Sequence, residues 1–154
     1  DISLLPRLSQ ALGTSAEALL RGDLEENDLS NGNMKRVRVC VCPHCGNLVL
    51  LSDAADVTCC GQTLQALTPQ APDEAHRLTA ELSDGAWYLT SSHPMQREHY
   101  LSFAALVDED TLVLRRLYPE WDAQTRLPYF AHGTLLWYCT RHGLFAQKID
   151  AHKK

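Results

Sequence analysis

The residues best able to do chemistry lie from the middle of this 154-residue chain onward: His76, His93, His99, Cys139 and His142. Two of the histidines bracket His93-Pro94-Met95-Gln96-Arg97-Glu98-His99, and the thiol opens Cys139-Thr140-Arg141-His142-Gly143. Four imidazoles suit iron, copper, nickel or zinc, and a single sulfur adds a soft anionic donor. Tetrahedral zinc needs only four of these five groups. Five protein donors around an octahedral ion leave one position open for a small substrate. That donor set points to an iron redox site.

A second set lies upstream, in Cys42-Pro43-His44-Cys45-Gly46-Asn47 and Cys59-Cys60-Gly61. Four thiolates from two such turns can enclose one ion in near-tetrahedral sulfur coordination. A structural zinc ribbon uses the same four thiolates, so the spacing leaves iron and zinc both open. Adjacent Cys59 and Cys60 are poor disulfide partners, and the grouping favours metal ligation over a disulfide framework. A reducing compartment keeps such thiols available. Cys40 is left over. Alternation puts it on the face of Cys42, and a small buried thiol is its plainer reading.

The elements that position these groups are mostly short strands. Val37, Val39 and Val41 alternate with polar or thiol residues, Leu48 to Leu51 makes a return strand, and Val57 leads into the second cysteine pair. From Glu74 onward the pattern is antiparallel. Arg77 to Leu82 and Ala86 to Thr90 flank a Ser83-Asp84-Gly85 turn, and Leu101, Phe103, Ala105 and Val107 alternate. Leu112 to Leu117 follows, and Leu135 to Cys139 and Leu144 to Ile149 bracket the Cys-x-x-His turn. The expected fold class is therefore mainly β, with several short strands forming a sandwich. The start differs: Leu4, Leu5, Leu8 and Leu12 recur at helical spacing, Gly13 stops that helix, and Thr14-Ser15-Ala16-Glu17 offers a capping box for a second. Residues 23–36 carry acidic residues and Asn31-Gly32-Asn33, which predicts a solvated linker.

Composition bounds the partners. A net charge of −5 argues against a large phosphate-binding surface here. No apolar run approaches a membrane span and no signal peptide is visible, so a cytoplasmic protein away from membranes is expected. The chain starts at Asp1 rather than Met, and further sequence is expected upstream.

The ordered blocks, with Glu74-Ala75-His76 and His99-Tyr100 among them, resemble the desulfoferrodoxins, the two-iron superoxide reductases, from about Val37 to about Ile149. The resemblance implies a desulforedoxin-like (rubredoxin-type) β module over residues 37–70, with iron on Cys42, Cys45, Cys59 and Cys60. It implies an immunoglobulin-like antiparallel β-sandwich over residues 71–154 carrying a second iron. Around that iron His76, His93 and His99 would bind through Nε2 and His142 through Nδ1, with the Cys139 thiolate axial and trans to the open site. Glu74 falls on the glutamate that fills the sixth position in the oxidised state, although an exposed surface carboxylate is its plainer reading. His44, His132 and His152 are expected to be non-ligands. The implied activity is one-electron reduction of superoxide to hydrogen peroxide, with an electron donor such as a rubredoxin-like protein and a homodimeric state. Two positions depart from the family pattern: Ala75 stands where the family has a lysine, and Leu78 where it has a proline. That lysine attracts superoxide and organises water for protonation, so its absence bears on efficiency. Arg77, Arg97 or Arg141 could supply the charge, each being more simply a solvated surface residue.

Residues 1–22 resemble the last two helices of a lambda-repressor-like helix-turn-helix domain, whose DNA-reading helix would lie upstream. An amphipathic helical pair packing on something else is the plainer reading. The second function class is accordingly an iron-containing, oxidant- or metal-sensing transcriptional regulator that meets DNA only through that upstream domain.

Overall fold

The structure, a computed structural model, describes residues 2–12, 16–21 and 34–152. The chain divides into two compact units, residues 1–31 and 32–154. In the first, a 3-10 turn at Ile2–Leu4 runs into helix α1 (Leu5–Leu12), and α2 spans Ala16–Arg21. Leu4 of the 3-10 turn, Leu8 of α1 and Leu20 of α2 are exposed. The stop at Gly13 and the capping residues Thr14 and Ser15 lie outside the described residues, as does the expected linker up to residue 33. Met34–Arg36 forms a 3-10 turn.

The second unit is built on strands. Hairpin β1 (Arg38–Val41) and β2 (Leu48–Leu51) carries the first cysteine pair at its turn, and hairpin β3 (Val57–Cys59) and β4 (Gln62–Leu64) carries the second. A sandwich follows. One sheet holds β5 (Thr79–Ser83), β6 (Ala86–Thr90) and β9 (Gln124–Pro128) in the order β5-β6-β9. The other holds β7 (Leu101–Val107), β8 (Leu112–Arg116), β10 (His132–Cys139) and β11 (Gly143–Asp150) in the order β11-β10-β7-β8. Every pairing between named strands is antiparallel.

Between the sheets, Leu78, Trp87, Leu89 and Leu127 meet Leu101, Ala104, Leu106, Leu135, Trp137 and Phe145. The outer face of the four-stranded sheet is covered as well. Phe103, Ala105, Val107, Leu136 and Leu144 pack with Val39 of β1, and Val37, Val41 and Leu48 add to the cluster. Strand β7 is consequently buried along its whole length. The cysteine-bearing strands thus share a core with the sandwich.

Two expectations need correction. Leu101, Phe103, Ala105 and Val107 do not share a face, because the pairing of β7 with β10 skips Ser102 between Phe103↔Tyr138 and Leu101↔Cys139. That extra residue is a β-bulge, which turns Leu101 toward the inter-sheet core while Phe103 stays outside. Strand β9 was not anticipated. Only Leu127 in Gln-Thr-Arg-Leu-Pro is fully buried, so its sequence carries almost no alternation.

Candidate metal centres

The four-cysteine site is made by two tight turns. In the first, Cys42 N donates to Asn47 O at 2.9 Å and Gly46 N donates to Cys42 O at 2.9 Å. Gly46 takes φ +69° there, a left-handed conformation glycine adopts without steric cost. In the second, Cys60 itself lies at φ +50° and Gly61 at +79°, which swings two consecutive thiols to the same side. All six cysteines are free. Cys45 and Cys59 sulfurs lie 3.6 Å apart and those of Cys59 and Cys60 4.0 Å apart. A tetrahedron with metal–sulfur bonds of about 2.3 Å has edges of about 3.8 Å, so the spacing is that of ligands around an ion. Asn47 Nδ2 adds a donor to Cys59 Sγ at 3.7 Å. Cys40 is buried beside Cys42 and Leu64, outside the four-sulfur group.

Charge explains what this site lacks without a cation. The backbone N–H of Cys45, above all, brings the Cys42 thiol down to about 6. Hydrogen bonding to Cys45 pushes Cys60 up to about 12 and also raises Cys59. Cys59 and Cys60 therefore keep their protons, and a cation held by the four sulfurs would displace them.

The second site is assembled at one end of the sandwich from three connections. His76 ends the turn before β5, His93 and His99 sit on the β6–β7 connection, and Cys139 closes β10 with His142 in the turn to β11. The five donor atoms all lie within 4.8 Å of one another. The imidazoles form a closed ring of neighbours: His76 to His93 at 5.2 Å between centroids, His93 to His99 at 4.7 Å, His99 to His142 at 4.9 Å and His142 to His76 at 4.6 Å. Three of these four contacts are edge-on, at 74° to 78°. His76 Nε2 and His142 Nδ1 are 2.8 Å apart and Cys139 Sγ is 3.4 Å from His142 Nδ1. Neighbouring ligands of an octahedron with bonds of about 2.1 Å are about 3.0 Å apart. His93 Nε2 and His99 Nε2 are buried with no hydrogen-bond partner. Such orphaned acceptors are costly, and an ion between them is what they fit.

The surroundings decide which nitrogen faces inward. His76 Nδ1 bonds the Asp73 carboxylate at 2.5 Å, and His93 Nδ1 bonds the Pro94 carbonyl at 2.7 Å, so both rings turn Nε2 to the centre. Phe145 stacks on His76 at 4.5 Å, and the buried Trp137 Nε1 donates to His76 O at 2.9 Å. Gln70 Nε2 donates to His142 O at 2.6 Å. Burial lowers His93 and His99 below the ordinary 6.5, which keeps both neutral and ready to bind at pH 7. The His76 hydrogen bond in turn lowers Asp73. Asp73, Trp137, Phe145 and Gln70 escaped the sequence reading. An aspartate three residues before a histidine is the only local signal among them.

The comparisons with known proteins agree in kind. A desulfoferrodoxin from Desulfarculus baarsii is 29% identical over 93 residues, covering 55% of this chain and 74% of the relative. One from Clostridium acetobutylicum is 25% identical over 112 residues, covering 66% and 86%. This chain is a relative of the desulfoferrodoxins. The superoxide reductase of Treponema pallidum superposes with a TM-score of 0.64 at 18% identity, covering 73% of this chain and 98% of that one, which supports the same fold. No family model matches the chain.

Set against the desulfoferrodoxin pattern, the remaining residues sort plainly. Glu74 is exposed on the turn before His76 and stands outside the five-donor group. Ala75 is exposed too. Arg97 pairs with Glu120 at 3.0 Å and Arg141 with Glu98 at 3.9 Å, while Arg77 has no ion-pair partner among the described residues. His44 and His152 join neither cluster. His132 falls in a separate group with Asp108 and Glu109, where Lys35 already pairs with Glu109 at 2.8 Å. Among the described residues no helix is long and apolar enough to cross a membrane.

Proposed function

We propose that this chain is a superoxide reductase that holds iron on His76, His93, His99, His142 and Cys139. The observation that carries the reading is the closed ring of four imidazoles with a thiol as fifth donor. When bound, iron supplies the single electron that takes superoxide, with two protons, to hydrogen peroxide. The protein's part is to fix the donors and leave access. Neutral imidazoles favour the ferrous state, and burial maintains that neutrality at His93 and His99. Cys139, wholly buried at the end of β10, brings the one anionic donor from the core side. His142 is exposed, so the group opens toward solvent beside it. Glu74 is the candidate sixth ligand of the oxidised state, one turn residue removed from the His76 backbone. Arg77 is the nearest replacement in sequence for the family lysine, an exposed cation with no ion-pair partner among the described residues, and its charge draws an anion.

The four-cysteine site is proposed to hold a second ion, iron or zinc, on Cys42, Cys45, Cys59 and Cys60. A rubredoxin-like protein would restore the ferrous state after each turnover. The regulatory reading is not favoured, because the relatives that match are desulfoferrodoxins. The test is a single-turnover experiment on anaerobically reduced, iron-loaded protein mixed with superoxide. Rapid iron oxidation with hydrogen peroxide as the product is expected; iron that survives the pulse unoxidised would exclude the activity.

A further inference from the structure

We propose that Asp73 is a positioning residue for the histidine site, acting through His76 on the affinity and potential of the ion held there. This deepens the superoxide reductase reading and rests on it for the identity of the metal. The geometry is specific. One carboxylate oxygen, Oδ1, bonds both the His76 ring Nδ1 at 2.5 Å and the His76 backbone N at 2.9 Å. A side chain that accepts both bonds fixes the ring's tautomer and its rotation together, because the backbone bond anchors the carboxylate before the ring meets it. Phe145 stacks on one face of the His76 ring at 4.5 Å, and Trp137 Nε1 donates to the His76 backbone carbonyl at 2.9 Å, fixing the main chain that carries the ring. With Nδ1–H committed to Asp73, Nε2 carries the lone pair that faces His142 at 2.8 Å.

Among the described residues no other ring in the group has a carboxylate hydrogen-bonded behind it. His93 leans on the neutral Pro94 carbonyl. The negative charge therefore enters the site's outer layer at one point, and there it makes a histidine a stronger donor. A stronger donor stabilises the more highly charged ion, so the carboxylate should tighten metal binding and lower the ferric/ferrous potential. Asp73 itself is mostly exposed, so its replacement leaves the core packing intact.

The experiment compares full-length wild type, Asp73→Ala and Asp73→Asn. Cobalt(II) titration followed by absorption reads each site's affinity, and a redox titration of the iron-loaded protein reads the potential. Asparagine keeps an acceptor for the turn but loses the charge, which separates a folding role from an electronic one. Asp73→Ala should weaken cobalt at the histidine site by about 10- to 100-fold. The four-cysteine site in the same molecule should keep its affinity, which reports an intact fold. Asp73→Asn should retain more of the affinity and still raise the potential. Unchanged affinity in Asp73→Ala, or a wild-type potential in Asp73→Asn, overturns the proposal. Weakening of both sites together in Asp73→Ala would reduce Asp73 to a structural role and also overturn it. None of these readouts involves superoxide, so an inert wild type would remove the enzymatic reading and leave this one standing.

Discussion

The two candidate metal centres solve the same problem in opposite ways. The four-cysteine group is local: two hairpin turns within about twenty residues bring the sulfurs to 3.6 and 4.0 Å. The histidine group is global, drawing on positions 76 to 142 through three connections of the sandwich. Their protons differ too. Cys59 and Cys60 hold protons that a cation must displace, whereas burial lowers His93 and His99 toward the neutral form that binds a metal directly. On the proposed reading the first site would be a metal-dependent staple, and the second a socket whose donors are held by the β-sheet core.

Removing one donor from each site is the harshest test of that independence. Cys139→Ser should abolish metal binding at the histidine group, by more than about 100-fold in affinity, while leaving the four-cysteine site loaded. Cys42→Ser should do the reverse. Metal analysis of the two variants checks this, and loss of both ions from either variant would mean the sites are coupled.

Proton release is the next discriminator. With Cys60 up at about 12 and Cys59 also raised, these thiols are protonated at pH 7 and must give up protons to bind. Affinity at the four-cysteine site should therefore rise with pH, by about tenfold per pH unit for each proton displaced. The imidazoles of His93 and His99 should contribute no such slope above pH 7. Calorimetric titration in buffers of different protonation enthalpy, run on the two single-site variants, measures both slopes.

Electrostatic capture should respond more modestly. A unit charge a few ångströms away in an exposed setting is worth about 1 to 4 kcal/mol, and about 1.4 kcal/mol corresponds to tenfold in rate. Ala75→Lys should thus speed the reaction with superoxide by up to about tenfold at low salt, and by less as salt is added. Arg77→Gln should slow it. If Ala75→Lys leaves the rate flat while Arg77→Gln lowers it, the arginine already does the work of the missing lysine.

Acid stability should show the smallest effect. His93 and His99 have folded-state values below the unfolded 6.5, so the unfolded chain binds more protons between those values. The stability due to their burial is present above pH 6.5 and is lost as pH falls below it. Thermal melting of metal-free protein should show a falling Tm between pH 7 and 5, blunted in a His93→Gln variant.

What the sequence revealed tracks how chemically rare the residues are. Nine thiols and imidazoles in ordered blocks stand out in any composition, and the structure gathers them into two groups of four and five. The β2 strand, Leu48–Leu51, and the β6 strand, Ala86–Thr90, were legible because apolar runs there end at turn residues. Strand β9 was not, since a sheet edge with one buried leucine leaves no period to read. The bulge at Ser102 was hidden because alternation presumes an unbroken ladder. Asp73 was hidden for a different reason: its role exists only once the turn places its carboxylate against the ring of His76.

The comparison also says where the chemistry should reside, and one measurement addresses it directly. Cys42→Ser protein, its four-cysteine site emptied and its histidine site loaded with ferrous iron, is mixed with one equivalent of superoxide under anaerobic conditions. The account predicts rapid single-turnover iron oxidation, one hydrogen peroxide per superoxide consumed and no dioxygen evolved, with Cys139→Ser protein inert beside it. Reaction lost in Cys42→Ser but kept in Cys139→Ser would contradict it, as would dioxygen released alongside half an equivalent of peroxide.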